Sequence, residues 1–342
     1  MGENSPQPKS RQQTDRDLFK ATVPFGIESV KTSWWVVSST FVMLGASLLG
    51  AALAPLWPLR LLFSVLSALL MVRTFITYHD YMHNAILSRS RVAWLLFRIY
   101  AAFSLTPPRS WKNSHNYHHG HVGRIAAASV GAFPVMTTDM WREASLADRI
   151  AYRVERHPLT ILSGYFTIFF LSVTLLPLLR NPARHWDSLL VLLGHVTLIA
   201  ALWFFGGFDV AFFVVLLPMT IASMIGSYLF FAQHSFEDMR ILPEDTWTNR
   251  RAAMESSSYM KLNKLMRWFT GNIGYHHIHH LNVRIPFYRL PEAMESIPEL
   301  QSPTTTTLSF HDIKACFRCC LWDERLQRMV SFREFARVAS PV

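Results

Sequence analysis

Histidine is concentrated in this chain in a pattern that invites metal or proton chemistry, because imidazole is the commonest metal ligand and titrates nearest neutral pH. The stretch "GYHHIHHLN" places four histidines, His276, His277, His279 and His280, within five positions. "HDYMH" sets His79 and His83 at i and i+4, and "HNYHH" sets His115, His118 and His119 at i, i+3 and i+4. His276, His279 and His280 repeat that second spacing. On a helix, residues three and four apart share a face, so each group can offer two or three imidazoles to a metal. One more histidine, His234, stands in "AQHSFED" just past the last apolar stretch.

A helix face carrying several unpaired imidazoles would leave several polar groups that are costly to bury, whereas a metal satisfies them together. The nine histidines 79, 83, 115, 118, 119, 234, 276, 279 and 280 exceed the coordination of one ion, so two ions are the natural count. Zinc usually settles for four ligands; a nitrogen-rich sphere with spare positions suits redox iron better. Asp80, Glu237 and Asp238 stand beside these histidines and can hold imidazole N–H groups from outside the metal shell. His195 in "LLGHVTL", and His157 and His185 at segment ends, read instead as hydrogen-bonded structural residues.

The elements that must position these groups are apolar. The 342 residues are 51% hydrophobic and only 16% charged, where soluble domains carry about a quarter charged residues. The formal net charge of +10 suits an anionic lipid surface or an acidic protein partner. No zinc-finger spacing or aromatic-interleaved basic stretch supports nucleic acid as a partner. Cys316, Cys319 and Cys320 in "KACFRCC" make neither a zinc ribbon nor a disulfide framework, and read as reduced packing residues.

Residues 33–57 and 59–78 are each long and apolar enough for a bilayer span of about 20 residues, and Pro55 and Pro58 make them a hairpin. Residues 92–105 are apolar but short and contain Arg98, which predicts an in-plane or re-entrant segment. Three further apolar windows follow at 159–179, 189–205 and 208–231. If all the histidine groups are to share one membrane face, an even number of crossings must separate the second group from the third. The window 159–179 is therefore expected to lie in the interface, with Gly206-Gly207 joining the other two as a second hairpin.

The fold class that follows is all-α and polytopic: about four transmembrane helices in two hairpins, interfacial helices, and a histidine-lined cytoplasmic cap. In this reading residues 1–32 form a polar cytoplasmic segment without a signal-peptide core, residues 33–335 the membrane domain, and 336–342 a tail. Residues 106–157 and 234–335 form the soluble cap, in which Ser309 and Asp312 begin a capping box that opens a helix. A metal transporter would place its ligands within the spans near the midplane. These clusters fall at span ends and in polar stretches instead.

In "HDYMH", "WKNSHNYHH", "FAQHSFED" and "GNIGYHHIHHLNVRIPFYRL", in that order, the chain resembles the integral-membrane fatty-acid desaturases with three histidine boxes. It is most similar to the bacterial acyl-lipid omega-6 (delta-12) branch, which the tail "LWDERLQRMVSFREF" also resembles; Tyr81-Met82 stand where that branch commonly has Cys-Gly. The resemblance implies two non-heme irons, O2 as co-substrate, and insertion of a double bond into a fatty acyl chain presented as an acyl-lipid or acyl thioester. Box by box, it implies His79, His83, His115, His118, His119, His234, His276, His279 and His280 as ligands; His121 and His277 are extra to the pattern and are expected outside the metal shell or as accidental neighbours, with His277 the alternative ligand. No heme-binding His-Pro-Gly-Gly stretch is present, so electrons are expected from a separate donor such as a ferredoxin or a b-type cytochrome. The expected location is a bacterial inner membrane with the boxes on the cytoplasmic face. Related di-iron hydroxylases and ketolases, acting on a lipid or carotenoid, are the alternative that box spacing leaves open.

Overall fold

The computed structural model describes residues 11–125 and 132–339. The first ten residues of the expected N-terminal segment and residues 340–342 of the tail fall outside them. The described part of that segment is not an extended tail. Helix α1 (Arg11–Thr22) buries Leu18, and Thr22 accepts a hydrogen bond from the side-chain amide of Asn282 at 3.0 Å.

Two long apolar helices follow, α2 (Val30–Leu53) and α3 (Trp57–Met82). Ser29 caps α2, and Pro58 sits in the first turn of α3, where a missing N–H costs nothing. They form the first hairpin, zipped by Ser47 Oγ to Ser67 Oγ at 2.8 Å. The helix that begins in the second apolar window does not stop at Tyr78. It runs on through His79 to Met82, which turns the first histidine pair into the last helical turns of a span.

Helix α4 (Arg91–Ser104) is amphipathic, burying Phe97, Tyr100 and Ser104 while exposing Val92, Leu95 and Ile99. At 14 residues it falls short of the roughly 20 that a bilayer span needs. Helix α5 (Pro108–His121) then carries the second histidine group. Short elements follow: strand β1 (Met136–Thr137), α6 (Thr138–Glu143), α7 (Leu146–Glu155) and α8 (Pro158–Leu162).

The apolar window at 159–179 becomes a π-helical segment, Tyr165–Leu175, continued by α9 (Leu176–Arg180). It is shorter than the three helices that can cross a membrane, Val30–Leu53, Trp57–Met82 and Trp186–Ala232. Its contacts keep it near the histidine-bearing ends of its neighbours. Phe169 meets Phe75 edge-on at 6.2 Å, and Thr174 Oγ1 donates to the Leu105 carbonyl at 3.0 Å.

The stretch Trp186–Ala232 is long for one span, and it breaks at Gly207 (φ 82, ψ 171), a conformation that glycine adopts at little cost. The break divides α10 (Trp186–Ala211) and sends the chain back through a π segment (Phe212–Leu216) into α11 (Leu217–Ala232). Phe204 and Phe205 are exposed at the tip. Four arms in two hairpins result. Because α3 and α11 both run toward the same end, as the contact of Ser64 Oγ with the Phe213 carbonyl fixes near their start, His79, His83 and His234 emerge together.

The remainder folds over that end. It comprises α12 (Asn249–Glu255), strand β2 (Tyr259–Met260), α13 (Lys264–Phe269), α14 (His276–Leu281), α15 (Leu290–Ser296), strand β3 (Thr305–Thr306) and α16 (Phe310–Arg318). Strands β4 (Leu321–Asp323) and β5 (Arg328–Val330) and helix α17 (Phe332–Ala339) complete it. β4 pairs parallel with β1 and antiparallel with β5, stitching the chain's end to the segment before α6. Ser309 Oγ accepts from the Asp312 N–H at 3.1 Å, so the expected cap opens α16.

Gly164 is where the start of the π-helical segment touches α11: a Cβ there would lie 2.1 Å from Ser227 Oγ and 2.9 Å from the Ser223 carbonyl oxygen. Gly164→Ala is therefore expected to lower the apparent melting temperature of the detergent-solubilised protein by about 5 °C, a consequence of overpacking by ~1–3 kcal/mol. An unchanged melting temperature would show that the segment is not seated on α11.

Candidate metal centre

Each histidine group is delivered by a different local device. His79 and His83 end α3, where the helix stops at His83. His115, His118 and His119 occupy one side of α5, a helix started by Pro108 and capped by no side chain. His234 follows α11 in a turn, its N–H bonded to the Phe231 carbonyl at 3.1 Å. His276, His279 and His280 lie on the short helix α14, whose approach depends on Gly274. The Met260 N–H donates to the Gly274 carbonyl at 2.8 Å, and a Cβ on Gly274 would sit 2.4 Å from the Met260 oxygen.

The nine imidazoles separate into two clusters. His79, His83, His115, His119 and His279 form one, and His118, His234, His276 and His280 the other, with the ligand atoms in each all within 4.8 Å of one another. The division cuts across the sequence groups. The neighbours His118 and His119 on α5 belong to different clusters, as do His279 and His280 on α14. Both helices therefore tie the two clusters to one another.

The nitrogen geometry fits metal ions and does not fit hydrogen bonding alone. His234 Nε2 faces His276 Nε2 at 2.9 Å, and His118 and His280 Nε2 at 3.2 Å each. His234 Nδ1 lies 3.0 Å from the Ser256 carbonyl, which can only accept, so its proton is there and Nε2 presents a lone pair. One lone pair cannot serve three imidazoles while His276 and His280 also face each other at 3.1 Å. Nitrogens sharing an ion at ~2.1 Å in neighbouring positions stand about 3 Å apart. In the first cluster His119 Nε2 lies 3.0 Å from His115 Nε2 and 3.1 Å from His279 Nε2. His83 Nε2 is buried there with no hydrogen-bond partner.

Electrostatics prepares the same rings for a cation. Burial, reinforced by neighbouring imidazoles, pushes His83, His115, His118, His119, His276, His279 and His280 well below the usual histidine range. They are neutral at physiological pH, with lone pairs available.

Asp80 sits beside this centre in the way its sequence position suggests. Its carboxylate lies 3.1 Å from His79 Nδ1 and accepts from the Phe287 N–H at 2.6 Å, so it holds the ring and ties α3 to the segment after α14. Glu237 and Asp238 are exposed; Glu237 approaches Arg328 at 4.0 Å. His121 stacks on Tyr117 at 3.9 Å and bonds the Tyr117 carbonyl, and so stays outside both clusters. His277 turns away from its neighbours, donating from Nε2 to the Leu300 carbonyl at 3.2 Å, and burial lowers its pKa to about 4.

Sequence reasoning did not single out the aromatic walls. Trp111 stacks on His115 at 4.3 Å and lies edge-on to His79 at 5.7 Å. Phe230 packs 5.2 Å from His118 and 5.6 Å from His234. Trp111 lies four residues before His115, and Phe230 four before His234. Helical spacing from a candidate ligand was the signal that could have found them. They make the surroundings of the nitrogens apolar, which excludes water and strengthens charge interactions inside.

The comparisons with known proteins agree with this architecture. The profile of the fatty acid desaturase family matches residues 55–308. A fatty acid desaturase of Bacillus subtilis (strain 168) is 31% identical over 327 residues, covering 94% of this chain and 92% of that protein. An sn-1 oleoyl-lipid 12-desaturase of Synechocystis sp. (strain ATCC 27184 / PCC 6803 / Kazusa) is 24% identical over 237 residues, covering 67% of this chain and 65% of its own.

Removing the Asp80 carboxylate frees both His79 Nδ1 and the Phe287 N–H, so Asp80→Ala is expected to weaken metal retention about 10–100-fold. His277→Ala is expected to leave it unchanged, since that ring bonds a carbonyl instead. Elemental analysis after titration with a chelator reads both. Equal losses in the two variants would remove the distinction drawn between the rings.

Proposed function

The chain belongs to the fatty acid desaturase family and inserts double bonds into fatty acyl chains, and from that premise we propose that its two histidine clusters hold two non-heme irons. The observation that carries the proposal is the division of nine imidazoles into sets of five and four on shared helices. His79, His83, His115, His119 and His279 would hold one iron, and His118, His234, His276 and His280 the other. Bound iron supplies, with O2 and two electrons, the oxidising power that an unactivated methylene requires.

The chain's own residues do the rest. Asp80 and the Ser256 carbonyl fix the tautomers of His79 and His234, keeping Nε2 of His234 unprotonated. Trp111 and Phe230 keep the surroundings dry, so that an acyl chain entering from the bilayer meets no competing water. The balance is the loss of two hydrogen atoms from adjacent carbons, with O2 taking these together with two electrons and two protons to give two waters.

The substrate in this proposal is the acyl chain of a membrane lipid, in keeping with the similarity to an oleoyl-lipid 12-desaturase. Oleoyl-lipid, desaturated at position 12, is the first candidate. The electrons come from a separate donor, a ferredoxin or a b-type cytochrome, for which a chain of net charge +10 offers attraction to an acidic surface. The histidine-bearing end of the helices lies on the cytoplasmic side of a bacterial cell membrane in this reading.

Gas chromatography of fatty acids from an expressing host, with double-bond location, tests the reaction. A new double bond is the expected product; a new hydroxyl or keto group would assign the chain to the related oxygenases instead. His118→Ala is expected to abolish the product while the protein still inserts in the membrane. His195→Ala removes the bonds to Tyr165 Oη at 2.7 Å and the Phe103 carbonyl at 3.0 Å, away from both clusters, so a fall in protein level at unchanged turnover per molecule is expected. Full turnover by His118→Ala would refute the ligand set.

A further inference from the structure

The polar composition of residues 106–157 suggests a water-facing cap, yet α7 exposes the wrong face for one. Leu146, Ile150 and Val154, spaced at i, i+4 and i+8, are 75%, 54% and 56% exposed. Ala147 and Ala151 are exposed beside them. At ~100° per residue these five side chains cover an arc of about 140°, wide enough for the buried face of an amphipathic helix. Isolated exposed apolar residues need no explanation, but a continuous helical stripe marks an interaction surface.

The other face of α7 is held firmly. The Tyr152 hydroxyl donates to the Cys320 carbonyl and accepts from the Met136 N–H at 3.1 Å. Just past the helix, Arg156 is buried and donates to the carbonyls of Pro134 at 2.8 Å and Cys319 at 2.7 Å, and to Ser235 Oγ at 3.0 Å. The helix cannot roll to hide its stripe without breaking these bonds. Arg149 and Arg153 flank one edge of the stripe with their guanidinium groups over the Trp141 ring at 5.5 and 5.2 Å, and Asp148 and Glu155 flank the other edge.

What covers the stripe is indicated by where the chain goes next. α7 leads straight into α8, which packs on α11, and there Leu159 is 71% exposed, followed by Phe166 at 61% on the π-helical segment. Exposed apolar side chains thus recur along the chain from Leu146, Ile150 and Val154 through Leu159 to Phe166, on the segment that packs beside the apolar helix α11. A helix with an apolar arc and charged edges is the form that lies in the plane of a bilayer surface, apolar face down.

We propose that α7 is an in-plane membrane-interface helix, its Leu146–Ile150–Val154 stripe seated in the acyl boundary of the leaflet on the histidine side. It also serves as a depth gauge for the metal centre. The buried Arg156 joins the end of α7 to Ser235, the residue after His234, so the plane in which α7 floats sets the height of the second cluster above the acyl chains.

Fluorescence quenching in reconstituted vesicles tests this on the full chain. Bimane is attached at Ile150→Cys, with Val154→Cys as a second position and Glu237→Cys, an exposed cap residue, as the aqueous control; Cys316, Cys319 and Cys320 are buried, and the unsubstituted protein sets their background. Vesicles of phosphatidylcholine and phosphatidylglycerol carry a lipid with a nitroxide at a shallow acyl carbon, and iodide is the aqueous quencher. Labels at 150 and 154 are expected to be quenched several-fold more by the lipid than by iodide, and the label at 237 the reverse. Quenching of 150 and 154 by iodide as strong as at 237 would overturn the proposal. Shielding of both from either quencher would also overturn it, since a second copy or another protein would then cover the stripe.

Discussion

Everything in this molecule is arranged around the need to bring nine imidazole nitrogens to within a few ångströms of their neighbours in a dry interior. Such a gathering is unstable by itself: buried lone pairs face one another at 2.9–3.2 Å, and no pattern of protons satisfies all of them. Rigid elements hold each ring from outside, and a cation bound between the rings would answer the lone pairs from within. The two hairpins provide the rigid hold, because α3 and α11 deliver His79, His83 and His234 from one direction while α5 and α14 close from the others.

The supports that hold those elements together are polar bonds in the half of each long helix that carries the histidines. Asp80 joins α3 to the Phe287 N–H. Gln233, the residue before His234, donates from its side-chain amide to the Ile273 carbonyl at 2.9 Å, and its own carbonyl accepts from the Ser258 N–H at 3.1 Å. Arg73, an ionisable residue within a span, would be expensive if unpaired. Its guanidinium instead donates to Thr40 Oγ1 at 3.1 Å and to the Trp268 carbonyl, with the Trp268 ring 4.1 Å away, and so ties both helices of the first hairpin to α13. These bonds set how far α14 can approach, and Gly274 allows the last close contact with Met260.

Membrane embedding and metal-centre construction are thus one problem. The apolar helices have their own reason to exist in the bilayer, but their lengths and directions also decide where the imidazoles arrive. The break at Gly207 shows the coupling. Without it α10 and α11 would form one rod, and His234 would emerge far from the other histidines. The π-helical segment Tyr165–Leu175 contributes differently, packing Phe169 edge-on against Phe75 near the centre.

A good part of this was readable from residue spacing alone. The i, i+3, i+4 patterns at His115 and His276 are local covalent facts, and helical periodicity converts them directly into shared faces. The long apolar runs announce spans in the same way, and the parity of crossings is the ground for expecting residues 159–179 to lie in the interface; the structure makes that stretch a helix shorter than the three that are long enough to cross. What spacing could not decide is which nitrogen meets which. His118 and His119 are adjacent in sequence and enter different clusters, as do His279 and His280, because the choice depends on how α5 and α14 cross each other. His277 shares the composition of its neighbours, and only the position of the Leu300 carbonyl takes it out of the cluster. The same holds for Glu237 and Asp238, next to His234 in sequence yet turned to the surface. Local periodicity belongs to the sequence by itself; the partition of the ligands belongs to the tertiary structure, because it rests on contacts between segments from tens of residues to more than a hundred residues apart.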